Sequence, residues 1–169
     1  MNVAQMIDQD KKGYRMSSQK MQGFTLIELI VVIIILGILA ATALPRYAAL
    51  QTNARVAKLN GALGAAKGAA ALAHAACLTT SPECTATVTM EGVNVTMINK
   101  YPTADAAGIV IAAGISVPDD YTTTGGGALA TSVLTIEVPG NVAANCSFTY
   151  TAAGAGGSPT FSAPTTTGC

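Results

Sequence analysis

The sequence predicts an α+β protein in which one long N-terminal helix packs on a four-stranded antiparallel sheet. Two features of patterning carry this. From Phe24 to about Ala76 the chain is rich in Ile, Leu, Val, Ala and Gly, and its apolar positions recur at helical spacing. After Cys84 the period drops to two, in runs of strand length bounded by Gly, Pro and Asn. A third feature divides the helix: residues 24–45 are almost purely apolar, whereas residues 46–76 are amphipathic.

The apolar half comes first. Phe24 to Leu44 supplies about the 20 residues a bilayer-spanning helix needs. One carboxylate, Glu28, stands inside it, at a cost on the order of 2.5–3.5 kcal/mol on insertion scales. Such a charge needs a partner, and the next cation along the helix, Arg46, is about 27 Å away at 1.5 Å per residue. Pro45 lacks an amide donor and its ring clashes with the preceding turn, so a kink or melted turn is expected there.

In residues 46–76, at 100° per residue, Val56, Leu59, Leu63, Ala66 and Ala70 fall in one sector and should face the protein's own sheet. Leu50, Ala57, Gly61, Gly64 and Gly68 fall in another, where small side chains let a second helix approach closely. Arg55, Lys58 and Lys67 point in different directions and read as solvated or inter-subunit charges.

Residues 77–169 form the globular part. Ala86, Val88 and Met90, then Val93, Val95 and Met97, alternate with polar residues around Glu91-Gly92, the pattern of a hairpin. Pro102-Thr103-Ala104-Asp105 starts a short helix through about Ala113, with Thr103 as its cap. Pro118 to Tyr121 and Thr122 to Gly127 read as a polar, Gly-rich loop. Ser132 to Val138 and Cys146 to Tyr150 alternate again, with a turn at Pro139-Gly140-Asn141. The tail from Gly154 to Gly168 is expected to be an exposed loop.

Composition narrows the class. Hydrophobic residues make up 50% and charged residues 11%, too apolar for disorder and suited to a subunit that buries surface against its own copies. The formal net charge of +0 hides an asymmetry. Residues 1–23 carry Lys11, Lys12, Arg15 and Lys20 against Asp8 and Asp10, and the remainder is acidic by the same margin. A basic flank before an apolar segment stays cytoplasmic, so the chain beyond the segment is exported. No basic patch calls for nucleic acid. The four cysteines, Cys77, Cys84, Cys146 and Cys169, then face an oxidising compartment, where an even count favours disulfides. Three pairings are possible; the expected one joins neighbours, Cys77–Cys84 and Cys146–Cys169.

Catalytic chemistry has little to rest on. His74 is the only histidine, which supports neither a nucleophile–base pair nor a metal cluster. Asp119 and Asp120 beside Thr122 to Thr124 suit a turn better than calcium, since no Glu completes a binding loop. Asn94-Val-Thr96 and Asn145-Cys-Ser147 match the N-glycosylation pattern, a short motif that mostly arises by coincidence. No cofactor, metal or enzymatic activity is expected.

The segment Gly23-Phe-Thr-Leu-Ile-Glu-Leu-Ile30, with Pro45 in the same helix, closely resembles the N-terminus of type IV pilins and pseudopilins. The resemblance implies the pilin fold with a disulfide-bounded C-terminal loop. It implies cleavage between Gly23 and Phe24 by a prepilin peptidase, with residues 1–23 as the basic leader, and N-methylation of Phe24. Met16 would give a shorter leader, more typical of the family. Glu28 would pair with the Phe24 amine of a neighbouring subunit. The implied partners are identical subunits and an inner-membrane assembly platform. The implied course is a single-pass anchor in the inner membrane, then an extracellular filament. Leu59 to Ala70, Val88-Thr-Met-Glu-Gly-Val-Asn-Val95 and Tyr101 to Gly108 look like the mannose-sensitive haemagglutinin type, which points to adhesion with an unknown receptor. The alternatives are a type II secretion pseudopilin, a minor pilin and, from another class, an uncleaved membrane-anchored binding module or enzyme.

Overall fold

The computed structural model describes residues 23–80, 84, 86–140 and 142–169. The leader residues Lys11, Lys12, Arg15, Lys20 and the alternative start Met16 lie outside these, as does Asn141 of the expected turn. The chain divides into two units between Ala43 and Leu44.

Helix α1 spans Leu26–Thr80, ending four residues beyond the expected Ala76. Its backbone stays helical at Pro45, so the melted turn allowed for there does not form. Proline removes one amide donor, and the neighbouring turns keep their own hydrogen bonds. From Leu26 to Leu44 every residue is exposed.

In the second unit α1 has the two faces its sequence implies. Leu59, Leu63, Ala66 and Ala70 are buried, joined by Ala62, Ala69, Ala73 and Cys77. Leu50, Ala57, Gly61, Gly64 and Gly68 are exposed. The buried face crosses two sheets. Leu59, Leu63, Ala66 and Ala70 share a core with Leu134, Ile136, Phe148 and Tyr150. Ala73 and Cys77 share a second one with Val88, Val95 and Met97.

The first sheet has three antiparallel strands, β1 (Thr87–Met90), β2 (Val93–Ile98) and β3 (Tyr101–Pro102). The hairpin expected at Glu91-Gly92 is present, with Met90 opposite Val93. Both turn residues have positive φ, 49° and 82°, as a tight two-residue hairpin requires. A second such turn, Asn99-Lys100, joins β2 to β3.

The second sheet has four antiparallel strands in the order β4 (Thr122–Gly125), β5 (Val133–Glu137), β6 (Ser147–Thr151) and β7 (Thr160–Phe161). A helix on a four-stranded antiparallel sheet is thus what forms, but its strands are not the four that alternation identifies. The hairpin from Thr87 to Ile98 belongs to the other sheet. The expected loop Thr122 to Gly127 supplies the edge strand β4, with Thr123 opposite Ile136. The tail supplies the opposite edge, β7, and a further bridge joins Ser147 to Thr165. Only β5 and β6, with Leu134 opposite Tyr150 and Ile136 opposite Phe148, are as expected.

The short helix also differs from expectation. An irregular helical segment spans Ala106–Val110, and its cap is Asp105, whose carboxylate accepts from the Gly108 amide at 2.8 Å. Thr103 cannot serve, because Ala104 is held extended by a bridge to Gly127 and Thr103 is buried, donating its hydroxyl to Asp105 at 2.8 Å. Gly108 is required here: a β-carbon would collide with the Thr103 carbonyl.

Tyr150 ties the sheets together. Its hydroxyl donates to the Pro102 carbonyl at 2.6 Å, and its ring packs against Phe161 with centroids 5.1 Å apart. Burial, reinforced by Tyr101, pushes the phenol's pKa well above its ordinary value. A raised native pKa means stability that is fully present below the unfolded value of about 10 and is lost as pH rises through the native one. Tyr150→Phe should cost about 1–3 kcal/mol at neutral pH, because it leaves a buried carbonyl unpaired. It should also remove Tyr150's share of the stability loss above about pH 10. Urea titrations of both forms at neutral and alkaline pH measure the two effects.

Candidate assembly segment

Gly23, Phe24 and Thr25 are non-helical and lead directly into α1. Phe24 is almost wholly exposed, at 93%. Among the described residues, nothing packs within 4 Å of where a β-carbon on Gly23 would lie.

Glu28 has a local role that the apolar run conceals. Its Oε2 accepts from the Thr25 amide at 2.8 Å and from the Thr25 hydroxyl at 2.7 Å, while the Glu28 amide donates back to Thr25 Oγ1 at 3.4 Å. This is a reciprocal capping box, which satisfies amides left unpaired at the helix start. The signal for it is Thr25-Leu-Ile-Glu28, Thr followed three residues later by Glu. A carboxylate in the first turn also complements the positive end of the helix. Glu28 therefore has a partner within one subunit, contrary to the expectation that the helix offers none.

Beyond Glu28, α1 is long and apolar enough to cross a membrane. Its uncovered Ile, Leu and Val side chains need lipid or other protein around them.

In the second unit the cysteines are bonded as Cys77–Cys84 and Cys146–Cys169, with Cα separations of 5.5 and 4.8 Å. The second bond anchors the tail beside β6. Arg55, expected to be a solvated or inter-subunit charge, reinforces it by donating from Nη1 to the Cys169 carbonyl at 3.0 Å. Lys58 is likewise engaged: its Nζ lies 2.8 Å from Asp120 and 4.7 Å from the centroid of the Tyr121 ring. Asp120 thus works as an ion-pair partner on the loop before β4. Lys67 lies 5.9 Å over the Phe161 ring. His74, which sequence places in an Ala-rich helix without a role, stacks face to face on Tyr101, centroids 4.2 Å apart, and bonds the Lys100 carbonyl at 2.9 Å.

A Gly-Phe pair, a Glu in the first helical turn and an uncovered apolar helix together define one segment. Residues 18–44 match the prokaryotic N-terminal methylation motif. The chain carries a prokaryotic N-terminal methylation motif. The chain is similar to several curated proteins. The type IV major alpha-pilin of Moraxella bovis is 50% identical over 54 residues, 32% of this chain and 33% of that protein. The fimbrial protein EcpB of Eikenella corrodens is 46% identical over 65 residues, 37% of this chain and 41% of that protein. The type IV narrow pilus major component PilA5 of Thermus thermophilus is 46% identical over 52 residues, 31% of this chain and 45% of that protein. The chain therefore spans less than half the length of these relatives. No solved structure matches it.

Proposed function

We propose that this chain is a structural, polymerising subunit of a type IV pilus and not an enzyme. The observation that carries this is the pilin-type segment itself: Gly23–Phe24 at the head of an uncovered apolar helix, with Glu28 in its first turn. A prepilin peptidase cuts after Gly23 and the new Phe24 amine is methylated. The subunit waits in the inner membrane, with α1 as its single anchor. An assembly platform extracts it, and the apolar helices gather in the core of an extracellular filament. Pro45, which withholds one helical hydrogen bond, is where α1 bends in the packed fibre. The exposed stripe of Leu50, Ala57, Gly61, Gly64 and Gly68 lets neighbouring helices approach closely. The sequence Val88 to Val95 resembles the mannose-sensitive haemagglutinin type, and adhesion is the task that resemblance suggests for the filament.

Mass spectrometry of sheared surface fibres tests the processing. The expected product starts at methylated Phe24 and carries two disulfides. A fibre protein starting at Met1 or Met16 would overturn the reading, as would failure to find the chain in any fibre. Gly23→Leu should leave uncut precursor in the membrane fraction.

A further inference from the structure

Beside the His74–Tyr101 stack lies a surface hollow of about 430 Å³, well inside the range of about 300–1,000 Å³ typical of small-ligand sites. His74, Ile98, Lys100, Tyr101, Gly157 and Ser158 are among its walls, and none of the described residues lining it is acidic. Its lining is mixed, with the polar groups of His74, Lys100, Tyr101 and Ser158 set beside the apolar Ile98 and the glycines. A carbonyl only accepts, so the 2.9 Å contact of His74 Nδ1 with the Lys100 carbonyl places the ring proton on Nδ1. Nε2 is then left to accept. Stacking on Tyr101, with the ring planes 3° apart, fixes the imidazole plane. The Tyr101 and Ser158 hydroxyl oxygens converge at 3.3 Å.

Lys100 is the unusual member. It sits at φ 71°, second in a two-residue hairpin turn, where the backbone favours glycine. A β-carbon crowds the following carbonyl in the left-handed region, which makes it unfavourable for any residue but glycine. Here the strained position carries a cation at the lip of a hollow that has no acid to neutralise it.

We propose that this hollow binds a small hydroxylated carboxylate of the sugar-acid class. Lys100 meets the acid group, His74 Nε2 accepts from a ligand hydroxyl, Tyr101 and Ser158 meet the other hydroxyls, and Ile98 offers an apolar contact to the ring carbons. The site lies wholly within residues 44–169, and its test needs no fibre, so it stands independently of the polymer reading.

The experiment is an NMR titration of the full chain in detergent micelles. His74, the only histidine in the sequence, serves as a unique reporter beside Tyr101. The probes are sodium glucuronate, glucose and sodium sulfate. Glucuronate should move both ring signals saturably. Glucose should bind at least about tenfold more weakly, the effect of losing one charge-assisted contact. Lys100→Gln should weaken glucuronate by a similar factor. Lys100→Gly should do the same and, because glycine suits the left-handed turn, keeps the fold intact for the comparison. Absence of a saturable response to glucuronate, or an equal response to glucose, overturns the proposal. So does sulfate binding as tightly as glucuronate, which would reduce the hollow to an unselective anion patch.

Discussion

Glu28→Val should leave the subunit stably inserted in the membrane while reducing fibres to few or none. Insertion improves because a charge costing on the order of 2.5–3.5 kcal/mol is removed from the apolar run. Two roles compete to explain a loss of fibres. In the subunit, Glu28 closes a capping box with Thr25, and losing such a cap costs about 0.5–2 kcal/mol. That frays the first turn but does not block assembly of a helix anchored over its whole length. In a packed core, by contrast, a neighbour's Phe24 amine would be buried without a counter-charge. Breaking a buried pair by removing one partner costs about 3–5 kcal/mol at each subunit. The unpaired amine costs more than the lost cap, so it decides the phenotype. Two further variants separate the roles. Thr25→Ala keeps the carboxylate and loses the box, and should still give substantial fibres. Glu28→Gln retains an oxygen for the Thr25 amide and loses the charge, and should behave like Glu28→Val. Sheared-fibre yield at native expression is the measurement. Wild-type yield from Glu28→Gln would assign the residue to capping alone.

Local features such as the box are disclosed by local sequence. The box is four residues long and visible as Thr25-Leu-Ile-Glu28, but in an apolar run the charge draws the eye outward to a partner elsewhere. The faces of α1 are legible for the same reason of locality: 100° per residue separates Leu59, Leu63, Ala66 and Ala70 from Gly61, Gly64 and Gly68, and the structure buries the first set and exposes the second. Pairing between distant segments is not legible. Alternation in Val88 to Met97 identifies strands but not the sheet they join. Thr122-Thr-Thr-Gly125 carries no alternation because β4 is an edge with few buried side chains. Thr160-Phe161 is too short to show a period. The partners of Arg55 and Lys58 lie 114 and 62 residues away in sequence, so their charges look unattached until the tail and the loop before β4 are placed. The hollow at His74 is hidden likewise, since α1, the Asn99-Lys100 turn and the tail meet only in the folded chain.

Removing the Cys146–Cys169 bond should destabilise the globular part more than removing Cys77–Cys84, and should free the tail to proteolysis. The two bonds span sequence separations of 23 and 7 residues. In the chain-entropy description the longer loop is worth about 3.5 kcal/mol and the shorter about 2.5 kcal/mol. The difference in structure exceeds that gap. Cys77–Cys84 joins the last turns of α1 to the residues before β1. Cys146–Cys169 holds an edge strand, β7, the Ser147–Thr165 bridge and the Arg55 contact in place at once. With the bond absent, the tail is held by the two-residue strand β7, the Thr165 bridge and a few hydrogen bonds such as Gly168 N–H to the Asn145 carbonyl, and we expect its end to fray and the Cys169 carbonyl to leave Arg55. The Cys146→Ala, Cys169→Ala double variant should therefore lower the urea midpoint of the full chain clearly further than Cys77→Ala, Cys84→Ala. Limited proteolysis should cut it first between Gly154 and Gly168. Arg55→Ala provides the cross-check. It should destabilise the oxidised protein by about 1–3 kcal/mol, the range for a hydrogen bond from a charged group. It should have almost no further effect once the disulfide is gone, because its partner has already moved. Additive effects of Arg55→Ala and the cysteine double variant would show that the tail stays docked without its covalent anchor, and would refute the clamp.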